Sequence, residues 1–434
     1  MFFYRESELN LLNEDFDKAN SSLSFIFARR QVGKTTLLNE YTKNKNCLYL
    51  SAFETINFLL LKEFKKTIDD FTNNKNEEMI KSFEDLFIYL GKIKIENKIV
   101  IVLEDIQELI KIDKKFLINF NNYWNKYLKN MNIQFIITSS FLPNDFENLA
   151  IAKKVDNKIK LKPLSFNIIQ KLLPDIKLDD LMLVYSLFGT NPTYLKFYDT
   201  KENFFINIKN NFQKLDSILI NEGMNIIKKD LSDVLTYCSV LHAISIGKKK
   251  IGDIASFLNL KSSYLTRYMQ KLLDLMLVNK IVPINENPSK SKFGRYEIDD
   301  NFLKFWFCYI YPNINFLNTN KFDKILNDIE KDYDRKLVEV AYKKHVSEQI
   351  QNDHMSFLDY RPKKIGSWWN NKDIEIDLIA YDSKTITFID CKWTKSNSLE
   401  DDYKALESKA KKFETQLEKK YLIFNKEKTS KIAL

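Results

Sequence analysis

The chain has 434 residues, 44% hydrophobic and 29% charged, the balance of a folded soluble protein with room for two to four domains. Eight glycines and eight prolines are few for this length and argue for long helices with short connections. The net charge of +9 (67 cations against 58 anions) admits an anionic partner, nucleic acid first, without requiring one. Cys47, Cys238, Cys308 and Cys391 are far apart, with no CxxC spacing and no histidine at ligand distance, so no zinc site is expected. Scattered thiols, an opening MFFYRESELNLLNE without a signal-peptide core, and no long apolar stretch lead us to expect a cytoplasmic protein without a membrane span.

The first predicted element is a buried strand over Leu23–Ala28 (LSFIFA), which runs into ARRQVGKTTLLNEYTK, where a helical pattern begins near Thr36. Gly33, Lys34 and Thr35 match the end of the phosphate-loop pattern G-x-x-x-x-G-K-[ST], with Ala28 in place of the first glycine. Gly33 lets successive N–H groups turn toward phosphates at a helix N-terminus. Lys34 reaches the β- and γ-phosphates and Thr35 offers a hydroxyl to Mg²⁺. Arg30, Gln31, Val32 and Thr36 complete the expected ATP cradle. A strand follows at Lys98–Asp105 (KIVIVLED), five apolar residues ending in two acids. Glu104 is expected in the Mg²⁺ shell and Asp105 as the base that polarises water. The acids stand in the order Glu-Asp, so the longer side chain takes the metal position, which predicts nucleotide binding with slow hydrolysis. A further strand, Gln134–Thr138, ends in Ser139 and Ser140, and Ser140 is the candidate contact to the γ-phosphate or to water.

These blocks together resemble the archaeal-type ATPases of the AAA+ class found in archaea and bacteria. The opening FFYRESELNLL, with Arg5, Glu6 and Glu8, is similar to that family's first block. FIFARRQVGKTTLL resembles its phosphate loop, IVIVLEDIQEL with Ile106 and Gln107 its acidic strand, FIITSS its sensor strand, and FGTNPTYL (Phe188–Leu195) its lid motif. A Gly-Arg pair often precedes the strand that here reads KIKLKPLSF (Lys158–Phe166). This chain has Ala152, Lys153 and Lys154 there, so no arginine finger is expected at that point, and lysine lacks the planar fork.

Residues 226–312 read as a winged helix-turn-helix. Leu235–Ser245 is helical; Lys248–Leu260 and a helix capped by Ser262 flank a turn at Asn259–Lys261. Leu265, Met269, Leu272 and Leu273 form the predicted buried stripe, with Ser263, Tyr264, Arg267 and Lys271 outward. A strand-turn-strand wing over Lys280–Ile298 carries Lys290, Lys292 and Arg295. Such a module sets its second helix in a DNA major groove and its wing on phosphates, or else serves as a protein-interaction or linking module. RYEIDDNFLKFWFCYIYPN is similar to a family block, and its Phe302, Phe305, Trp306 and Phe307 are expected to pack.

The tail pairs a strand at Asp373–Ala380 with another at Thr385–Trp393, giving D-x₁₂-D-x-K from Asp377, Asp390 and Lys392. That is the core of the PD-(D/E)xK arrangement, in which carboxylates hold Mg²⁺ and the lysine serves the attacking water. Glu339, on an upstream helix, is the candidate third acid. A helix over Leu399–Lys412 and a strand at Tyr421–Phe424 complete an α-β-β-β-α-β order. The family's C-terminal domain is restriction-endonuclease-like and of unknown function, usually with Glu-Cys-Lys-Trp where this chain has Asp390.

The predicted fold class is α/β: a P-loop AAA+-like parallel sheet (1–165) with a helical lid (166–225), a winged helix-turn-helix (226–312) and a nuclease-like α/β domain (313–434). The predicted function is an ATPase with ATP and Mg²⁺ as cofactors, coupling nucleotide binding to DNA contact and a nuclease-like tail. The alternative is a non-catalytic nucleotide-binding adaptor whose C-terminal domains hold protein partners or a second copy of the chain.

Overall fold

The computed structural model describes residues 5–74, 78–143, 146–214, 217–317, 322–371, 374–393, 398–426 and 429–432, the last stretch as backbone. The first four residues of the opening block and Asp373 lie outside the described residues. The chain divides into two compact units, Met1–Ser165 with Asp274–Met276, and Phe166–Leu273 with Leu277–Leu434. Among the described residues no helix is long and apolar enough to cross a membrane.

The first unit is built on a five-stranded sheet: β1 (Ser22–Phe27), β2 (Cys47–Ser51), β3 (Ile99–Glu104), β4 (Ile133–Ser139) and β5 (Asn157–Lys160). Its order is β2-β3-β4-β1-β5 and every pair is parallel. The apolar runs of β1, β3 and β4 are buried at every position, as a sheet covered on both faces demands. Side chains alternate between two cores: Leu23, Phe25 and Phe27 join one, Ile26 and Ala28 the other. A parallel sheet presents its connecting loops at the carboxyl ends of the strands, which is where ligands bind in such folds.

The helix Glu6–Phe16 is pinned to this sheet by one carboxylate. Asp15 is fully buried, and it accepts from Ser24 Oγ at 2.6 Å, Asn157 Nδ2 at 2.9 Å and Lys18 Nζ at 2.8 Å. A buried carboxylate is tolerated only when its oxygens are this fully occupied.

The second unit holds helices, a two-stranded ribbon and a five-stranded sheet. The helices Val234–Ser245, Ile251–Phe257 and Ser262–Asp274 are followed by β6 (Val278–Ile281) and β7 (Arg295–Ile298), which pair antiparallel. Ser262 is the first helical residue, not the cap: the preceding Lys261 carbonyl accepts from Leu265 N–H. The buried stripe is Leu265, Tyr268, Met269 and Leu272, with Tyr268 in place of the predicted Leu273, which is only half-buried. Phe302, Phe305, Trp306 and Phe307 are all fully buried, and Trp306 Nε1 donates to Ile220 O at 2.8 Å. These aromatics pack.

The helix Glu339–Asn352 precedes β8 (Lys364–Trp369), β9 (Glu375–Tyr381) and β10 (Thr385–Lys392). The helix Leu399–Ala410, β11 (Glu418–Asn425) and β12 (Thr429–Ile432) complete the tail. The sheet order is β12-β11-β10-β9-β8, with β10 and β11 parallel and the other pairs antiparallel. The β6–β7 ribbon is docked on this sheet: Ile284 N–H donates to Ser367 O at 2.9 Å and Trp369 Nε1 to Phe293 O at 3.1 Å.

Candidate functional site

The loop between β1 and the helix Lys34–Thr42 contains two left-handed residues, Gln31 (φ 66°) and Gly33 (φ 101°). Nothing lies within 4 Å of a Cβ placed on Gly33, so glycine is required there by its backbone angle and not by crowding. The Lys34 side chain is buried, and its ammonium donates to Ala28 O at 3.0 Å, folded back along the loop. The Thr35 hydroxyl donates to Glu104 Oε1 at 2.6 Å, and Ser51 Oγ lies 3.4 Å from Glu104 Oε2. Gln31 and Thr36 are exposed, Val32 and Arg30 half-buried.

Two cations brace the loop from outside. Arg5 is buried, donates to Val32 O at 3.0 Å and pairs with Glu8 at 3.2 Å. Arg30 reaches Glu108 at 3.4 Å, and Glu108 also pairs with Lys111 at 2.9 Å. Neither partner is legible from the loop's own sequence, although the repeated acids after β3 hint at one.

Asp105 takes a left-handed backbone (φ 59°) at the start of the helix Ile106–Ile112, and its N–H donates to Thr138 Oγ1 at 3.0 Å. The strand therefore ends at Glu104, and the two acids belong to different elements. Ser140 N–H donates to Gln107 Oε1 at 3.1 Å, tying the end of β4 to that helix. The Tyr49 phenol on β2 is pushed well above its usual range, by burial first and then by the negative charge of Glu104. Thr35, Glu104 and Asp105 thus gather at the carboxyl ends of β1 and β3. Hydroxyl and carboxylate oxygens are the donor set that Mg²⁺ prefers, so these residues fit a magnesium–nucleotide pair.

The second predicted cluster lies in the tail. Asp377 Oδ2 accepts from Cys391 N–H at 2.9 Å, and its Oδ1 is 3.3 Å from Lys343 Nζ. Lys343, four residues after Glu339 on the same helix, also reaches Glu375 at 3.2 Å. Lys392 pairs with Asp390 at 3.4 Å and with Asp402. Burial first, and then the charge on Asp377, raises the carboxyl pKa of both Asp390 and Glu339. Among the described residues, however, no three His, Cys, Asp or Glu side chains are arranged to hold a metal ion. Lys343 lies against Asp377 and Lys392 against Asp390, each at ion-pair distance. Lys343 and Asp402 were not among the expected residues; their i+4 and helix-first-turn positions were the only signals.

Arg295 was expected on DNA phosphates, but it is buried, pairs with Glu375 at 2.6 Å and stacks its guanidinium 4.3 Å from the Trp369 ring centre. Arg267 is exposed yet engaged: it donates to Tyr268 Oη at 2.9 Å and lies over the Tyr264 and Tyr268 rings, while Tyr268 Oη donates to Asp233 at 2.6 Å. Lys290 and Lys292 are exposed on the loop between β6 and β7.

A parallel sheet with a phosphate loop after β1, and an acid at the end of β3, one strand away across β4, against the loop threonine defines a P-loop ATPase domain. Residues 2–197 match the family described as an ATPase domain predominantly from Archaea, and residues 306–413 match archaeal and bacterial proteins of unknown function. The uncharacterized protein MJECL04 of Methanocaldococcus jannaschii is 32% identical over 401 residues, 91% of this chain and 88% of that one. The chain belongs to this family, in which an archaeal-type ATPase domain is joined to a C-terminal domain of unknown function. Among solved structures, the Walker-type ATPase PABY2304 of Pyrococcus abyssi superposes with a TM-score of 0.53 at 15% identity, over 70% of this chain and 96% of that one. The Aeropyrum pernix ORC1 protein, solved in complex with DNA, gives 0.37 at 15% identity, over 73% and 95%.

Proposed function

We propose that the protein binds ATP with Mg²⁺ at the β1 loop and hydrolyses it slowly. The observation that carries this is the 2.6 Å contact between Thr35 Oγ1 and Glu104 Oε1, which joins the loop to the acidic strand. The backbone from Arg30 to Thr36 cradles the phosphates, and Lys34 turns from Ala28 O to the β- and γ-phosphates. Thr35 and Glu104 would hold the magnesium, which would neutralise phosphate charge. Asp105 accepts the proton of the attacking water, from a side chain one methylene shorter than glutamate. Fluorescent-ATP titration tests this: binding that needs Mg²⁺ and disappears in Lys34→Ala supports it, and equal affinity in that variant defeats it.

The second unit carries the finer reading, a winged helix and nuclease-like tail that answer to the nucleotide state. With Arg295 paired inside the fold and the exposed Arg267 held against Tyr264 and Tyr268, DNA contact falls chiefly to Lys290 and Lys292, which predicts a shallow salt dependence. Lys290→Glu with Lys292→Glu should weaken DNA binding; an unchanged affinity favours the alternative, an adaptor that holds protein partners. The element order around Glu339, Asp377, Asp390 and Lys392 supports a nuclease-like scaffold, and the lysines among the acids favour contact over cutting. Cleavage of DNA with Mg²⁺ or Mn²⁺, lost in Asp377→Asn, would overturn that.

A further inference from the structure

Gln107 is 1% exposed and Ser140 2% exposed, and they meet through one hydrogen bond, Ser140 N–H to Gln107 Oε1 at 3.1 Å. A backbone N–H can only donate, so this bond fixes the amide orientation and turns Nε2, a donor with two protons, the other way. Among the described residues neither Gln107 Nε2 nor Ser140 Oγ has a hydrogen-bond partner. Leaving a buried donor unmet costs about 1–3 kcal/mol, so two such groups side by side call for a reason.

Their place in the sheet supplies one. β4 lies beside β1 with Ser139 paired to Phe27, and Ala28 N–H donates to Ser139 O at 3.2 Å. The Ala28 carbonyl in turn receives the Lys34 ammonium. Ala28 therefore links the lysine assigned to the terminal phosphates to the end of β4, where Ser140 holds the Gln107 side chain of the helix Ile106–Ile112. From the opposite side, Glu108 of the same short helix pairs with Arg30 of the loop. No arginine stands at Lys153.

We infer that Gln107 is a terminal-phosphate contact: its Nε2, together with the Ser140 hydroxyl, donates to the γ-phosphate oxygens and distinguishes ATP from ADP. The inference rests on the nucleotide reading above and adds a residue to it. Two neutral donors set on the charge that grows during phosphoryl transfer act as electrostatic stabilisers. They move no proton themselves. In ADP the γ-phosphate is gone and the two donors are unmet again, so the same pair reports the nucleotide state to the helix Ile106–Ile112.

A structural role would need only the Oε1 bond to Ser140, and Gln107→Glu separates the two roles. Glutamate keeps an oxygen for the Ser140 N–H but replaces the free donor with a negative charge. We expect Gln107→Glu and Gln107→Leu to lower affinity for a non-hydrolysable ATP analogue roughly tenfold or more while ADP affinity changes by less than about threefold. Ser140→Ala should move in the same direction by a smaller factor. Equal losses for ADP and the analogue, or no loss for the analogue, overturn the inference. Wild-type protein that binds neither nucleotide overturns the ATP-site reading with it, whereas wild-type binding that Lys34→Ala abolishes and Gln107→Glu leaves intact overturns this inference alone.

Discussion

The Thr35 hydroxyl donates to Glu104 Oε1 at 2.6 Å, so the first turn of the phosphate-loop helix is bonded to the last residue of β3. Loop and strand are neighbours through β4, which pairs with both β1 and β3. One pair of oxygens therefore ties the phosphate loop to the end of β3.

Replacing Thr35 with valine, or Glu104 with glutamine, should remove the Mg²⁺-dependent part of ATP affinity, roughly tenfold or more, and leave affinity in EDTA unchanged. Titrating fluorescent ATP with and without magnesium separates the two parts. A Glu104→Gln protein whose magnesium dependence matches wild type would remove Glu104 from the metal role.

Arg295 ties the ribbon to the tail sheet. Burial by itself would raise the Glu375 carboxyl pKa, but Lys343 and Arg295 outweigh it and hold it at about 2. Arg295→Met should destabilise the protein by about 1–3 kcal/mol, the lower end of what breaking a partly buried ion pair costs because Glu375 keeps solvent access and Lys343. Urea unfolding measures it. DNA affinity, if detected, should be unchanged per folded molecule.

His345 packs its ring 4.1 Å from that of Phe166, and burial lowers its pKa from 6.5 to about 4. Above pH 6.5 both folded and unfolded chains hold it neutral. As pH falls below 6.5 the unfolded chain takes up the proton first, so stability is lost progressively down to about pH 4, by about 3 kcal/mol at full effect. His345→Phe should flatten that part of the unfolding profile. An equal slope in the variant would assign it to the carboxylates.

A methyl group on Gly223 would overlap the indole of Trp306, which is fully buried and cannot retreat. Gly223→Ala should cost about 3 kcal/mol through overpacking. Adding Trp306→Leu should give a double variant less destabilised than the sum of the singles, because the smaller side chain relieves the clash. Additive losses would show that the glycine matters for another reason.

The strands that build the ATP site could be read from residues alone. Apolar runs at Leu23–Phe27 and Ile99–Leu103 are long enough and β-branched enough to be buried strands, and the GKT step after the first can only work at a helix start. The D-x₁₂-D-x-K spacing likewise placed Asp377 and Asp390 on adjacent strands, because side-chain alternation is a local property. Tertiary packing alone decided who stands opposite these residues. Arg5 reaches Val32 across 27 positions and Arg295 reaches Glu375 across 80, and no local pattern encodes a partner at that distance. A cation on a predicted wing reads the same whether it faces solvent or a carboxylate, so only the docked ribbon shows that Arg295 is spent inside the fold. The same holds for Lys343, one lysine among many in the sequence. Its ammonium becomes informative only where the helix Glu339–Asn352 sets it against Asp377.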